Sequence, residues 1–154
     1  MNKKTAIIGI SFFYHDSAAA LIVDGEIVSA VQEERFSRIK NDPSFPKESI
    51  KYCLKKNSLK LKDIDSVIYY EKSLLKFERL LETYLSVSPR GLKSFVKSML
   101  IWTKEKLFIK RKIKKELKTI QDELTNGKLK SIPETILPEI LFSEHHLSHA
   151  ASAF

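Results

Sequence analysis

The sequence predicts an α/β protein whose mixed sheet combines a three-strand meander with two further strands and is flanked by helices. Three observations favour this fold class. The first forty residues contain three short apolar runs separated by turn residues, two later segments have strand character, and residues 74–124 have helical periodicity. A chain of 154 residues with 43% hydrophobic residues is long and apolar enough to bury a core.

The first three strands follow one another along the chain. Thr5–Ser11 is a nearly continuous apolar run, as expected of a strand that is covered on both faces. Ala18–Val23 is the second strand, and Asp24 and Gly25 form the two-residue turn that leads into the third, Glu26–Glu34. The alternation of this third strand predicts that Ile27, Ser29, Val31 and Glu33 share one face, opposite Val28, Ala30 and Gln32.

A short helix is predicted after the proline-containing loop NDPSFP. Pro46 suits the first turn of this helix, which runs to about Lys56. The spacing places the single cysteine, Cys53, on the apolar side of the helix beside Ile50 and Leu54, as a buried and inert thiol.

The remaining elements are two strands and a long helical region. Ile64–Glu71 is the fourth predicted strand, and Glu139–His146 is the fifth, running into a loop or the start of a helix. Between them, residues 74–130 form a helical, basic, insertion-like segment. Its helical periodicity runs to about Leu124, and Asn126-Gly127 ends the helical region. Its apolar stripes are Leu74, Phe77, Leu80, Leu81 and Leu85, and then Phe95, Met99, Leu100, Trp102, Leu107 and Ile113. This order of elements is similar to one lobe of the actin, sugar kinase and Hsp70 type of fold.

The positive charge is concentrated in one segment. The chain has a net charge of +8, and Arg90 to Lys130 contain thirteen Lys/Arg against four Asp/Glu. A solvated helical face is the favoured interpretation, and binding of an anionic partner is the alternative. No aromatic or glycine-rich recognition pattern accompanies the charges, which disfavours nucleic acid. No window approaches the length of a membrane span and the basic start has no cleavage site, so we expect a cytoplasmic protein.

The histidine cluster near residue 145 predicts a metal site. Three of the four histidines lie within five residues of EHHLSHAASAF. If this segment is helical, His145 and His149 project from one face and can hold one divalent cation, while His146 points a quarter-turn away toward substrate or solvent. Imidazole pairs suit Zn, Fe, Ni or Cu, and at least one further ligand is needed. The alternative is a pair of surface histidines on a helix.

The turn between the first two strands carries a second candidate cluster. Histidine is the residue type best suited to proton transfer at physiological pH, so His15 can act as a general base or acid. Asp16 can hold the tautomer of His15 or bind a cation. Ser17 and nearby backbone N–H groups are candidates for a phosphate contact. The alternative is an ordinary turn, in which Asp and Ser are common.

A charged segment, Glu33–Lys40, follows the third strand. Its two acids and three bases are interpreted as a solvated ion-pair network. The alternative is that Arg35 or Lys40 contacts an anionic substrate.

Residues 9–46 together with HHLSHAASAF resemble the N-terminal domain of the O-carbamoyltransferases of nodulation-factor and antibiotic tailoring. That domain is similar to the metal-dependent tRNA threonylcarbamoyl-transfer proteins and has the actin-like ATPase fold. The resemblance covers the first forty-odd and the last ten residues closely. It implies that residues 1–154 are the N-terminal, incomplete part of such a domain, with the C-terminal part of the enzyme missing.

The resemblance also implies a two-step transfer. Carbamoyl phosphate and ATP give a carbamoyl-adenylate in a C-terminal domain, and the N-terminal domain passes the carbamoyl group to the hydroxyl of a small-molecule acceptor. His145 and His149 correspond to ligands of a divalent metal, Fe or Zn. His15 corresponds to a residue near the acceptor hydroxyl, and Lys40 to a contact of the carbamoyl-adenylate.

Two departures from the family pattern leave alternatives open. The family often shows KKHDPSFP where this chain has IKNDPSFP, so Asn41 lacks a titratable group, and family members are several times longer. One alternative is a non-catalytic module that holds an anionic partner through its basic segment. Another is transfer to tRNA, although the strings HDS and EERF favour a small-molecule acceptor.

Overall fold

The computed structural model describes residues 4–70, 81–86, 95–96, 108–125 and 137–151. Its centre is a five-stranded mixed sheet with the order β3-β2-β1-β4-β5. The strands are β1 (Ala6–Ser11), β2 (Ala18–Val23), β3 (Glu26–Gln32), β4 (Ser66–Tyr69) and β5 (Glu139–Phe142). The predicted meander and the two further strands are therefore confirmed.

The meander is antiparallel, whereas β1 pairs in parallel with β4, and β4 with β5. The predicted hairpin turn lies between β2 and β3. Asp24 has φ 51° and Gly25 has φ 89°, so both turn residues adopt the left-handed conformation that matches the twist of a two-residue hairpin. The Asp24 carboxylate accepts a hydrogen bond of 2.8 Å from the backbone N–H of Thr5, which ties the turn to the start of β1.

A bulge interrupts the alternation that was predicted for β3. Leu21 pairs with Ser29 and Ile22 pairs with Ile27, so Val28 is an extra residue in this strand. The prediction that Ile27 shares a face with Ser29 is wrong, because the bulge shifts the face. Ile27 is 71% exposed, whereas Ser29 is buried.

The helices that follow the strands are α1 (Glu34–Ser37), α2 (Lys47–Lys56), α3 (Ile109–Leu124) and α4 (His145–Ala151). A 3₁₀ turn, Leu61–Asp63, precedes β4. Residues 81–86 are also helical. None of the described helices is long and apolar enough to cross a membrane.

The core lies on one face of the sheet, under α2 and α3. α2 ends at Lys56 as predicted, and Pro46 lies one residue before the helix rather than in its first turn. Cys53, Ile50 and Leu54 are fully buried, as the spacing predicted for Cys53. The apolar residues of α3 at helical spacing complete the core. Besides the α2 residues, the buried set includes Ile8, Ile10, Leu21, Val67, Tyr69, Ile109, Ile113, Leu117, Ile120 and Ile140.

The prediction that β1 is covered on both faces is wrong in the described part of the chain. Burial alternates along β1, with Ala6, Ile8 and Ile10 buried and the residues between them half-buried. Side chains of a strand point alternately to opposite faces, so the second face of the sheet stays partly open.

Ion pairs link α2 to α3. The Glu123 carboxylate of α3 contacts Lys47 and Lys51 of α2, and Lys51 also bonds to Glu48 at 2.7 Å. Lys47 first, and then Lys51, hold the pKa of Glu123 below its usual range. Burial alone would lower the pKa of Lys51, but the carboxylates of Glu123 and Glu48 outweigh it and raise the pKa.

The predicted third strand, Glu26–Glu34, ends two residues early. α1 follows it, and Glu33 is buried rather than part of a solvated ion-pair network. One carboxylate oxygen of Glu33 accepts from the backbone N–H of Glu48 at 2.9 Å. The other accepts from the N–H and hydroxyl of Ser49 at 2.8 and 2.6 Å. The N–H groups at a helix start need an acceptor, and Glu33 supplies it for α2.

Two other predicted strands differ from the structure. The fourth, predicted as Ile64–Glu71, spans Ser66–Tyr69. The fifth strand ends at Phe142, four residues before the predicted His146, because α4 begins at His145. The last helix of the predicted helical region, α3, ends at Leu124, where the periodicity predicted the end, and Asn126-Gly127 lie outside the described residues. Of the first predicted apolar stripe, Leu85 is 64% exposed, and Leu74, Phe77 and Leu80 lie outside the described residues.

Candidate functional site

The candidate residues lie after the ends of strands that finish at the same edge of the sheet. β1, β3, β4 and β5 run in the same direction and end at Ser11, Gln32, Tyr69 and Phe142. We call this edge the carboxyl edge. Ligands of open α/β sheets bind in the crevice outside the carboxyl ends of the strands.

Each candidate cluster follows one of these strand ends. His15 and Asp16 follow β1, Arg35 and Lys40 follow β3, and the three histidines of α4 follow β5. Neighbouring strands lie about 4.8 Å apart, so β1 and β5, separated by β4, end about 10 Å from each other. A small molecule can bridge that gap. The fold therefore brings together clusters that are more than a hundred residues apart in the sequence.

His15 and Asp16 form a hydrogen-bonded pair at the tip of the β1–β2 turn. The His15 Nδ1 atom lies 2.6 Å from the Asp16 carboxylate. The side chains are 71% and 41% exposed, so both are open to solvent. If Nδ1 carries the proton that Asp16 accepts, Nε2 of the same ring keeps its lone pair and can accept a proton from a ligand. This is the tautomer role that the sequence predicted for Asp16.

The turn that carries this pair is fixed to the loop before α2. Phe13 donates its N–H to the Pro43 carbonyl at 3.0 Å, and Ser17 donates its N–H to the Asp42 carbonyl at 3.0 Å. The Ser17 side chain is buried, and its hydroxyl donates to the Ser44 carbonyl at 2.5 Å. This hydroxyl is therefore committed to the loop, and the prediction of a phosphate contact by Ser17 is wrong.

The backbone of the turn adopts unusual conformations. Phe13 has φ 93° and Asp16 has φ 53°, in a region that L-residues rarely occupy and that costs about 1–3 kcal/mol per residue. Phe13 stacks on Phe12, with ring centroids 4.9 Å apart, and the Lys112 ammonium of α3 lies 4.5 Å from the Phe13 ring centroid. These contacts hold the strained turn in place beside the His15–Asp16 pair.

Asp42 stabilises the loop before α2, to which the β1–β2 turn is hydrogen-bonded. It is 3% exposed, and its carboxylate accepts the Ser44 N–H at 2.9 Å. The Ser37 hydroxyl first, and then the hydroxyl and N–H of Ser44, hold the pKa of Asp42 below its usual range. A buried carboxylate satisfied by several donors stays ionised and keeps its loop rigid.

The two basic candidates after β3 have different surroundings. Arg35 belongs to α1, is 69% exposed and lies 3.9 Å from Glu34, which makes a weak ion pair. Its side chain lines a groove on the open face of the sheet. Lys40 lies in the loop after α1 and is exposed. Neither residue is buried, so both are accessible to an anionic ligand.

The groove runs across the open face to α4 and has a volume of about 1180 Å³. Its floor includes the small residues Gly9, Ala20 and Ala30, which lie in register across three strands and leave room above the sheet. Its polar lining residues include Ser11, Gln32, Arg35, Tyr70, Ser143 and Ser148. Arg35 at one side and α4 at the other therefore face a common space.

The segment with the histidine cluster is helical, as expected. His145 is the first residue of α4 and His149 lies four residues later, on the same side of the helix one turn away. That spacing and the imidazole donors fit a divalent transition metal. Among the side chains that the structure describes, which exclude those of the α4 histidines, no group of three His, Cys, Asp or Glu could hold a metal. The metal ligands therefore remain a prediction.

Sequence reasoning missed three residues that shape the site. Asp42 stands before Pro and Ser, a combination typical of a turn in which the Asp side chain bonds to the backbone two residues later, and this was a usable signal. Lys112 gave no signal, because its contact with Phe13 joins distant segments. Ser148 gave none either, although its hydroxyl lies within 3.3 Å of the Tyr70 carbonyl.

Comparison with known proteins places the whole described sheet within one family. A family model described as carbamoyltransferase N-terminus matches residues 6–154. The chain is 55% identical over 150 residues to the uncharacterized protein sll1178 of Synechocystis sp., covering 97% of this chain and 23% of that protein. It is 34% identical over 145 residues to the nodulation protein NolNO of Sinorhizobium fredii, covering 92% of this chain and 18% of that protein. The chain thus spans less than a quarter of the length of either relative.

Proposed function

Because the chain belongs to the carbamoyltransferase N-terminal family, we propose that it forms the transfer site of an O-carbamoyltransferase. In this function a carbamoyl group moves from a carbamoyl-adenylate to the hydroxyl of a small-molecule acceptor. The observation that carries the proposal is the position of the three candidate clusters on one carboxyl edge. The strand order and the three-strand meander also support an actin-like lobe.

The His15–Asp16 pair is proposed to activate the acceptor. Asp16 orients the ring through Nδ1, and Nε2 takes the proton of the acceptor hydroxyl. The hydroxyl oxygen then bonds to the carbamoyl carbon, and the bond from that carbon to the phosphate oxygen of the adenylate breaks, releasing AMP. The exposure of the pair supports this role, because the acceptor has to reach Nε2.

The basic residues after β3 are proposed to bind the negative charge of the donor. Arg35 faces the groove and can form two parallel hydrogen bonds with a phosphate, whereas Lys40 offers a single mobile charge. His146, beside the metal ligands, is proposed as a substrate contact. The carbamoyl phosphate and the ATP that form the adenylate would bind elsewhere in the full-length enzyme, in the C-terminal part.

His145 and His149 are proposed to hold a divalent metal, Fe or Zn, which would supply electrostatic stabilisation of the reacting group. Two imidazoles leave the coordination incomplete. A further ligand would come from the remainder of the enzyme. The relatives, each more than four times as long as the matched region, have sequence that can provide it.

Metal binding tests this proposal most directly. Zn²⁺ affinity would be measured for the chain and for His145→Ala and His149→Ala variants, alone and mixed with the remaining part of the Synechocystis relative. Stoichiometric Zn²⁺ that is lost in both variants supports the site. Binding only in the mixture supports ligands from both parts. If neither the chain nor the mixture binds the metal, the catalytic proposal fails.

The carbamoyl-transfer step needs a second measurement, because metal binding alone does not establish it. The mixture would be supplied with ATP, carbamoyl phosphate and a panel of hydroxyl compounds. His15→Ala is expected to reduce carbamoyl transfer at least a hundredfold, in the range of a lost general base. It should leave the unfolding midpoint unchanged, since His15 is exposed.

A second candidate function is a binding module for an anionic partner. The observation that favours it is the exposed side of α3, where Lys110 and Arg111 lie in the first turn of the helix and are followed by Lys115. Cations are unfavourable at that end because of the helix dipole, so stability does not explain them. A double Lys110→Glu, Arg111→Glu variant should then lose polyanion binding that the parent chain shows at low salt. Unchanged binding would exclude this candidate.

A further inference from the structure

Ser148 of α4 stands at the centre of a small hydrogen-bond network. Its hydroxyl oxygen lies 3.3 Å from the Tyr70 carbonyl, 3.0 Å from the Ser143 hydroxyl and 3.0 Å from the Glu144 carbonyl. A serine hydroxyl donates one hydrogen bond and accepts up to two. The Glu144 carbonyl already accepts the Ser148 backbone N–H at 2.9 Å. The hydroxyl can therefore donate to the Ser143 hydroxyl, the Tyr70 carbonyl or the Glu144 carbonyl. It can also accept a bond from the Ser143 hydroxyl while it donates to the Tyr70 carbonyl, which leaves the Glu144 carbonyl to the backbone N–H.

This network joins three elements. Tyr70 is the residue after β4, Ser143 is the residue after β5, and Ser148 lies in the middle of α4. A further bond from the Ser143 N–H to the Tyr69 carbonyl, 2.9 Å long, extends the β4–β5 pairing to that point. The hydroxyl of Ser148 thereby connects the helix directly to the carboxyl edge of the sheet.

We propose that Ser148 is a positioning residue that fixes the orientation of α4, and with it the placement of His145 and His149, relative to the carboxyl edge. This inference rests on the proposed function for its metal, but its structural part can be decided separately. Ser148 lies three residues after His145 and one residue before His149. Because all three residues belong to α4, a rotation of the helix that is allowed by loss of the Ser148 contacts would displace both histidines.

The length of α4 explains why one side chain can matter. The helix has seven residues, and an isolated helix shorter than about twelve residues is marginal in water. Leu147 on the same helix is 61% exposed, so burial of that side chain contributes little to holding α4 on the sheet. Metal ligands have to be placed within about 0.2 Å of the preferred distances. Loss of the tether should consequently weaken metal binding before it affects the core.

The test compares four forms of the chain: the parent, Ser148→Ala, Ser148→Thr and Thr119→Ala. The threonine variant keeps the hydroxyl. Thr119→Ala is the matched control, because Thr119 also bonds to the carbonyl four residues earlier, Lys115, in the exposed part of a helix. Zn²⁺ affinity, measured by calorimetry in the presence of the remaining part of the Synechocystis relative, is expected to fall about tenfold in Ser148→Ala. It should stay near the parent value in the other two variants.

Amide hydrogen exchange supplies the readout that does not depend on metal. Ser148→Ala should accelerate exchange in α4 and leave β1 and α2 unchanged, whereas Ser148→Thr should restore slow exchange. Unchanged exchange in α4, or parent-like Zn²⁺ affinity in Ser148→Ala, overturns the positioning role. Absence of Zn²⁺ binding in the parent overturns the proposed metal site instead, and the exchange data still decide whether Ser148 positions the helix.

Discussion

At the residue scale, the Glu33 carboxylate stabilises the fold by accepting hydrogen bonds at the start of α2. This carboxylate is buried and accepts three hydrogen bonds from Glu48 and Ser49. Glu33→Ala leaves these donors without their acceptor, so we expect the free energy of unfolding to fall by about 2–3 kcal/mol. Urea unfolding measures the change. Glu26→Ala, at an exposed position of β3, is the control, and equal midpoints for the two variants would contradict the role of Glu33.

Asp42 is expected to make stability depend on acid pH. The Ser37 and Ser44 donors lower its pKa from the ordinary value of 3.8, so the folded state holds the carboxylate form more tightly than the unfolded chain. A lowered pKa contributes stability that is present above the ordinary value and is lost as pH falls through the folded value. The stability difference between the parent and Asp42→Asn should therefore be largest near neutral pH and shrink below about pH 4.

Unfolding in urea at a series of pH values measures this difference. Asp122→Asn, at an exposed position of α3, serves as the control for the loss of one carboxylate. The free energies of unfolding of the parent and of Asp42→Asn are compared at each pH. If their difference stayed constant down to about pH 3, the serine hydroxyls would not stabilise the ionised form of Asp42.

At the element scale, α3 is held by its apolar face. Ile113 is completely buried against the core, whereas Ile27, beside the bulge in β3, is 71% exposed. Ile113→Ala should lower the free energy of unfolding by about 3 kcal/mol, and Ile27→Ala by less than about 0.5 kcal/mol. The two variants delete the same atoms, so thermal or urea unfolding isolates the effect of burial. Similar losses would mean that α3 does not pack on the core in solution.

The elements that the sequence predicted well are those with a local cause. β2 has the predicted bounds, and the Asp24-Gly25 turn forms because its residues accept positive φ. The elements that it missed depend on distant partners. α1 follows Glu33 because that side chain turns inward to α2, and the Val28 bulge depends on pairing with β2. The hydrophobic periodicity of a segment reports neither interaction, because each depends on a partner in another element.

At the scale of the whole molecule, Cys53 can report global opening. It is the only cysteine in the chain, it is completely buried, and burial raises the pKa of its thiol. Reaction with a thiol reagent should therefore require unfolding of the core. The reaction rate should rise about tenfold for each 1.4 kcal/mol lost, so Ile113→Ala should react much faster than Ile27→Ala. Equal rates in these variants would show that Cys53 reacts through a local opening.

The sequence predicted the motifs of the candidate site but not their relative positions in space. The sequence identified the His15–Asp16 turn and the α4 histidines from residue types and spacing, and both lie where the sheet ends. It did not fix which strands pair, so the common edge could not be derived. The contacts that hold the site, such as Ser148 on Tyr70 and Lys112 on Phe13, join residues more than 70 positions apart.

The Asp24-Gly25 turn has a practical consequence. It joins β2 to β3 at the edge of the sheet opposite to the candidate site, and a Cβ added at Gly25 would meet no other atom within 4 Å. Exposed hairpin tips of this kind tolerate inserted peptides. A short epitope or a fluorophore-binding tag placed between Asp24 and Gly25 would therefore give this protein a reporter at the edge of the sheet opposite to the candidate site. Such a tag would not occupy the edge at which the histidines lie.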